Sequence, residues 1–217
     1  MNGLFITLEG VEGSGKTTQL SRLKKHLEST GHRIVVTREP GGTPISEAIR
    51  DILLDPTNGA MHPMTELLLY EAARAQHVAE HIRPALESGA IVLSDRYTDS
   101  TTAYQGAGRS ISPETVGQLH QIATQGVWPD LTIVIDLDPT EGLRRRADDH
   151  AHDRIESEPV DFHRQVRTAF LALAEIESER IKVVDGSMSP DEIAGHIAAL
   201  VDPLVEQKRG QLDRTPE

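Results

Sequence analysis

The chain has 217 residues, no cysteine and a formal net charge of −12. That length buries a full core in one α/β domain, the acidic balance disfavours a nucleic-acid surface, and the lack of thiols excludes disulfides and cysteine catalysis. The start, Met1-Asn2-Gly3-Leu4, lacks a signal-peptide pattern and no apolar stretch reaches the length of a membrane span. The expectation is a soluble, cytoplasmic protein without a membrane partner.

The first apolar run, Leu4–Leu8, has strand length, and a helical pattern over Lys16–Glu28 follows. Between them stands Gly10-Val11-Glu12-Gly13-Ser14-Gly15-Lys16-Thr17, then Thr18. The spacing G-x-x-x-x-G-K-[ST] between strand and helix predicts a loop whose inward-pointing amides cradle nucleotide phosphates. Lys16 is then placed for the β- and γ-phosphates, the Thr17 hydroxyl for Mg²⁺, and the helix N-terminus adds its positive end. The ligand expected is ATP or a relative. Glu12, a carboxylate inside a phosphate loop, reads as a solvated loop acid, as an acceptor for a sugar hydroxyl, or as a partner of Mg²⁺-bound water.

A second strand over Ile34–Thr37 runs into Arg38-Glu39-Pro40-Gly41-Gly42-Thr43, a cation and a tight glycine turn at the same sheet edge. Helices are expected over Ile45–Leu53 and Thr65–Glu87. On the latter, Tyr70 and Arg74 share a face, so a ring and a guanidinium can stack a base and bond its edge; by spacing alone, core packing is the better reading of Tyr70. The third strand, Ile91–Ser94, ends in Asp95-Arg96-Tyr97. Ligands of open parallel sheets sit at the carboxyl ends of strands, which places Asp95 for the Mg²⁺ shell and Arg96 for a phosphate.

A helix over Pro113–Thr124 precedes the fourth strand, Leu131–Ile135, whose terminal Asp136 competes for the metal role. It ranks lower because Asp138-Pro139 reads as a turn and helix start. After a helix over Thr140–Ala147, the segment Arg144-Arg145-Arg146 through Arg154 is a charged stretch able to close over phosphates. A helix over Asp161–Glu179, a strand over Ile181–Val184 and a helix over Pro190–Val205 complete the pattern, and residues 206–217 read as a polar tail. Gly31, Gly89 and Gly126 stand at expected helix stops. Short strands alternating with helices predict a parallel sheet with helices on both faces: one domain over 1–205, with a lid over about 144–158. His77 and His81 lack the H-E-x-x-H pattern, and no zinc site is expected.

Together these segments resemble the thymidylate kinases, a family of P-loop nucleoside-monophosphate kinases. The resemblance rests on Leu8-Glu9-Gly10-Val11-Glu12-Gly13-Ser14-Gly15-Lys16-Thr17-Thr18, Thr37-Arg38-Glu39-Pro40-Gly41-Gly42-Thr43 and Tyr70-Glu71-Ala72-Ala73-Arg74. It continues through Asp95-Arg96-Tyr97, Ser100-Thr101-Thr102-Ala103-Tyr104-Gln105-Gly106 and Asp153-Arg154-Ile155-Glu156. It implies a P-loop three-layer α/β sandwich on a five-stranded parallel sheet, transfer of the ATP γ-phosphate to dTMP with Mg²⁺, and a homodimer. It further implies that Glu12 contacts the sugar 3′-hydroxyl, Tyr70 stacks on thymine, Arg74 bonds the thymine edge, and Arg96 holds the acceptor phosphate with Arg38 nearby. Ser100, Thr101 and Gln105 then lie by the substrate, and Tyr104 crowds the sugar 2′ position. The phosphate-loop variables Val11, Glu12, Gly13 and Ser14 include no arginine, so the catalytic cation is expected from the lid: Arg154 first, with Arg144–Arg146 as rivals. Kinases of other nucleoside monophosphates share this fold, and a switch or assembly ATPase is the alternative from another class. The chain has no N-K-x-D guanine motif, and Val11 stands where ParA-like ATPases carry lysine.

Overall fold

The computed structural model describes residues 2–147 and 153–212. Positions Asp148, Asp149, His150 and His152 of the expected lid, and residues 213–217 of the expected tail, lie outside the described residues.

Five strands form one parallel sheet in the order β2-β3-β1-β4-β5. They are β1 (Leu4–Glu9), β2 (Ile34–Arg38), β3 (Ile91–Asp95), β4 (Leu131–Asp136) and β5 (Ile181–Asp185). β1 is buried along its whole length, as a central strand covered on both faces must be. One apolar layer joins Ile6, Leu8, Ile133 and Ile135 to Leu20, Leu23 and Leu27 of α1 (Lys16–Ser29) and to Ile193, Ile197 and Val201 of α9 (Pro190–Leu212). Another packs Phe5 and Val92 against Val78, Ile82 and Leu86. Each such side chain contributes about 1.5–3 kcal/mol on burial, so the sheet and its helical covers form as one unit.

α2 (Pro44–Leu54) starts where Thr43 Oγ1 accepts from the Ser46 amide at 3.3 Å, with Pro44 preset for the first turn. The long helix expected over 65–87 forms as α3 (Pro63–His77), a π-turn over Val78–Ile82 and α4 (Arg83–Glu87). α6 (Pro113–Thr124), α7 (Pro139–Ala147) and α8 (Val160–Ile176) follow the expected pattern.

Two segments depart from the sequence reading. Residues 98–108 are helical, as α5 (Thr98–Thr101) continued by a wide π-turn over Thr102–Gly108. Threonine and glycine are poor helix formers; burial of Ala103, Tyr104 and Gln105 supplies what propensity does not. α9 also continues to Leu212 with Pro203 inside it, through residues 206–212 of the expected tail. Val205 is buried and Leu204 packs on the core, which carries the helix beyond its last apolar turn.

No described helix is long and apolar enough to cross a membrane.

Candidate active site

The carboxyl ends of β1 and β3 and the N-terminus of α1 meet at one end of a cleft of about 1080 Å³. Gly10–Gly15 wrap around Lys16, whose Nζ donates to the carbonyls of Gly10 (3.1 Å) and Val11 (2.9 Å). No side chain caps α1, so its first amides face the loop without a protein acceptor from that source. Burial, with the Arg96 charge beside it, pushes the Lys16 ammonium down to about 8. Thr17 Oγ1 donates to Asp95 Oδ2 at 3.1 Å, bringing the two expected metal ligands together. The loop rests on α7 at a backbone-to-backbone contact. A Cβ on Gly13 would stand 2.0 Å from the Gly142 carbonyl oxygen, and one on Gly142 would stand 2.1 Å from the Glu12 carbonyl oxygen. Only glycine fits at either position.

Arg96 sits at φ 72, a conformation that bulky residues rarely adopt. Its own backbone is pinned: the amide donates to Leu8 O at 3.0 Å and Ser94 Oγ donates to its carbonyl at 2.8 Å. The strain aims the guanidinium inward, where it donates to Gly10 O, Ser100 Oγ and Glu12 Oε1 at 2.9–3.0 Å and lies 4.9 Å over the Tyr104 ring. The Tyr104 hydroxyl donates to the same Glu12 oxygen at 2.7 Å. Burial alone would raise the Glu12 carboxyl, but Arg96, His163 and Lys16 hold it below its ordinary range. His163, fully buried on α8, brings Nδ1 to 3.2 Å from Glu12 Oε2. Behind the loop, Glu9 accepts from the Tyr97 amide (2.7 Å) and Ser100 Oγ (2.5 Å); burial, then the Asp99 charge, pushes its carboxyl up to about 8.

At the other end lie Tyr70 and Arg74. Arg74 is 2% exposed and donates to Glu39 (Nε, 2.8 Å), Glu71 (Nη1, 2.6 Å) and Thr101 (Nη2, 2.9 Å). Glu71 also meets His120, whose ring stands edge-on to Trp128 with centroids 6.3 Å apart. Thr101 and Gln105 border the same cleft, as do Ser100 and Tyr104.

The cleft therefore gathers Glu12, Gly13, Gly15, Lys16, Thr17, Thr18, Arg38, Tyr70, Arg74, Asp95, Arg96, Ser100, Thr101, Tyr104 and Gln105. Gly10 reaches it through its carbonyl, while Val11 and Ser14 are buried within the loop. Tyr70 faces the cleft, not the core packing that its spacing alone favoured. Arg38 is held by Glu47 at 2.8 Å. Asp136 is paired with Arg167 (2.6 and 2.9 Å) and does not border the cleft, whereas Asp95 does.

Arg154 is placed elsewhere. Its Nη1 donates to Glu66 at 2.5 Å and its Nε to Leu53 O at 2.8 Å, beside a separate cavity of about 240 Å³. Glu66 also takes Arg109 and Gln105, so it acts as a buried hub that holds Arg154. Arg145, one of the rival cations, does border the cleft, with Nε on Glu141 at 3.0 Å. Sequence reasoning named neither Glu66 nor His163 for the site. Their partners lie far away in the chain, at separations that no local spacing encodes.

Comparison with known proteins gives the same picture. The sequence profile of the family described as thymidylate kinase matches residues 8–197. The chain belongs to the thymidylate kinase family. A thymidylate kinase of Pelobacter propionicus is 55% identical over 205 residues, covering 92% of this chain and 94% of the relative. One of Deinococcus radiodurans is 51% identical, covering 92% and 96%. The crystal structure of thymidylate kinase from Ehrlichia chaffeensis superposes with a TM-score of 0.76 at 31% identity, covering 92% of this chain and 98% of that one. As a member of the thymidylate kinase family the chain is an enzyme, a kinase built on the P-loop α/β fold.

Proposed function

We infer that the chain transfers the γ-phosphate of ATP to dTMP, giving ADP and dTDP for dTTP synthesis. The observation that carries this reading is the lining of the large cleft. A phosphate loop stands at one end, a ring and a locked guanidinium at the other, and Arg96, Glu12 and Tyr104 between them. A nucleoside monophosphate laid along it puts its base on Tyr70 and Arg74, its sugar on Glu12 and Tyr104, and its phosphate on Arg96.

Both reacting groups are anions, so the barrier is one of position and charge. Lys16 and Arg96 neutralise the transferring group from the loop side. Among the described residues, Arg145 is the lid guanidinium that borders the cleft, and we assign it the neutralising role first given to Arg154. The acceptor phosphate oxygen is already ionised at neutral pH, so Glu12 orients the sugar and removes no proton. The Thr17 hydroxyl and Asp95 carboxylate are hard oxygen donors 3.1 Å apart, a set that fits Mg²⁺. When bound, the ion would supply positive charge to the transferring phosphate. Tyr104 leaves neither room nor a partner for a 2′-hydroxyl, which favours deoxyribose.

A coupled ADP-release assay with ATP and Mg²⁺ tests the reading against dTMP, dUMP, UMP, dCMP, AMP and thymidine. Turnover fastest on dTMP, weaker on dUMP, is expected. Preference for another monophosphate keeps the phosphate site but overturns the base assignment. We also propose a cytoplasmic homodimer; light scattering at twice the chain mass checks the pairing.

A further inference from the structure

Arg74 has five N–H hydrogens in a rigid fork. Glu39, Glu71 and Thr101 take three of them, which leaves a ligand one on each terminal nitrogen. Two carboxylates beside one guanidinium also cancel its charge, so this arginine offers hydrogens and no pull on anions.

The carboxylate on Nε is itself held from behind. His77 is fully buried; its Nδ1 donates to the Glu39 carboxylate at 2.9 Å, and its Nε2 is hydrogen-bonded to the Thr37 hydroxyl at 2.6 Å. The turn after β2 is shaped around that ring. A Cβ on Gly42, whose φ is +87, would stand 2.6 Å from His77 Nε2 and 2.7 Å from Thr37 Oγ1. Thr37, His77, Glu39 and Arg74 thus form one buried chain of hydrogen bonds from the sheet edge to the base pocket, with every link made. Freed of His77, the Glu39 carboxylate has an unused acceptor oxygen beside the cleft and a loose grip on Arg74. An acceptor there suits an amino group on the base edge, whereas the locked fork suits a carbonyl oxygen.

We propose that His77 is a positioning residue for base selection. Acting through Glu39, it fixes the Arg74 fork against a base that presents oxygen and denies an acceptor to one that presents an amino group. The proposal rests on the reading of Arg74 as the group at the base edge.

The experiment measures kcat and KM with ATP for dTMP and dCMP in the wild type, His77→Phe, His77→Asn and Arg74→Lys. His77→Phe is expected to raise the KM for dTMP about tenfold and to move kcat less, with the KM for ATP unchanged. The dTMP-to-dCMP ratio of kcat/KM falls by about tenfold or more, and His77→Asn, whose amide nitrogen takes the place of Nδ1 and still donates to Glu39, recovers most of it. Wild-type selectivity in His77→Phe overturns the proposal, whatever its Tm. Should His77→Phe fail to fold, Thr37→Val unseats the ring from behind; a smaller loss of selectivity supports the proposal and an unchanged ratio overturns it. Arg74→Lys with wild-type selectivity overturns the base-edge reading and this proposal with it. Lost selectivity in Arg74→Lys but not in His77→Phe overturns the positioning role alone.

Discussion

Two arginines share one cleft in opposite electrostatic settings. At the phosphate end, Arg96 rests on a carbonyl, a hydroxyl and one carboxylate, and Lys16 beside it rests on carbonyls. At the base end, Arg74 is matched by two carboxylates, each backed by an imidazole. A cation that meets more neutral oxygens than acids keeps more of its charge available to an incoming anion. A cation matched by acids presents only the direction of its hydrogens. On the proposed function, the same residue type attracts phosphate at one end and reads a neutral base at the other, and the difference lies in its partners.

The largest effect that sharpens this contrast concerns the lid. Arg145→Ala is expected to lower kcat by about 10²-fold with little change in the KM for dTMP. Arg154→Ala instead removes one partner of Glu66, which keeps Arg109 and Gln105, and lowers Tm by about 5 °C with a smaller effect on kcat. Steady-state kinetics with thermal melts separate the two, and the reverse pattern returns the catalytic role to Arg154.

A second test addresses the available charge itself. The Lys16 ammonium, held down to about 8 without ligand, must be charged to grip phosphate. ATP affinity should therefore fall as pH rises above 8, by up to about tenfold per unit, and binding near pH 8 should take up a proton. Calorimetry in two buffers of different ionisation enthalpy reads that uptake. Uptake absent at pH 8 would break the picture of a half-charged loop.

The smallest effect is on stability. The Glu9 carboxyl sits near 8 in the fold and near 4.5 in the unfolded chain, so the folded state binds more protons between those values. Stability from this group is intact below the unfolded value and is lost as pH rises towards 8. Glu9→Gln should melt with the wild type at pH 4.5 and about 5 °C above it at pH 8. Equal melting at both would place the charge elsewhere.

Much of this was legible in the chain. The strands are contiguous apolar runs, and the phosphate loop is a motif whose mechanism is local; both survive translation into three dimensions. Asp95 and Thr17 could be paired because strand ends and the loop share one sheet edge by topology. What escaped was set by long-range pairing or by burial against propensity. Arg154 carries the expected motif but is claimed by Glu66, 88 residues away. Thr98–Gly108 looks like a loop because its residues prefer loops, and it becomes helical by being buried. The polarity of residues 206–212 suggested a frayed tail, yet the helix runs on from buried Val205. Glu39 stood in a quoted motif, but nothing nearby told that its carboxylate would bind His77 and Arg74.

The single tryptophan of the chain adds an optical consequence. Trp128 meets His120 edge-on; His120 meets Glu71, and Glu71 holds Arg74 at the base pocket. The molecule thus carries one indole, joined by a ring contact to His120 and from there by hydrogen bonds to the proposed base pocket. Its emission should report occupancy of that end of the cleft without any label and without any background from a second indole.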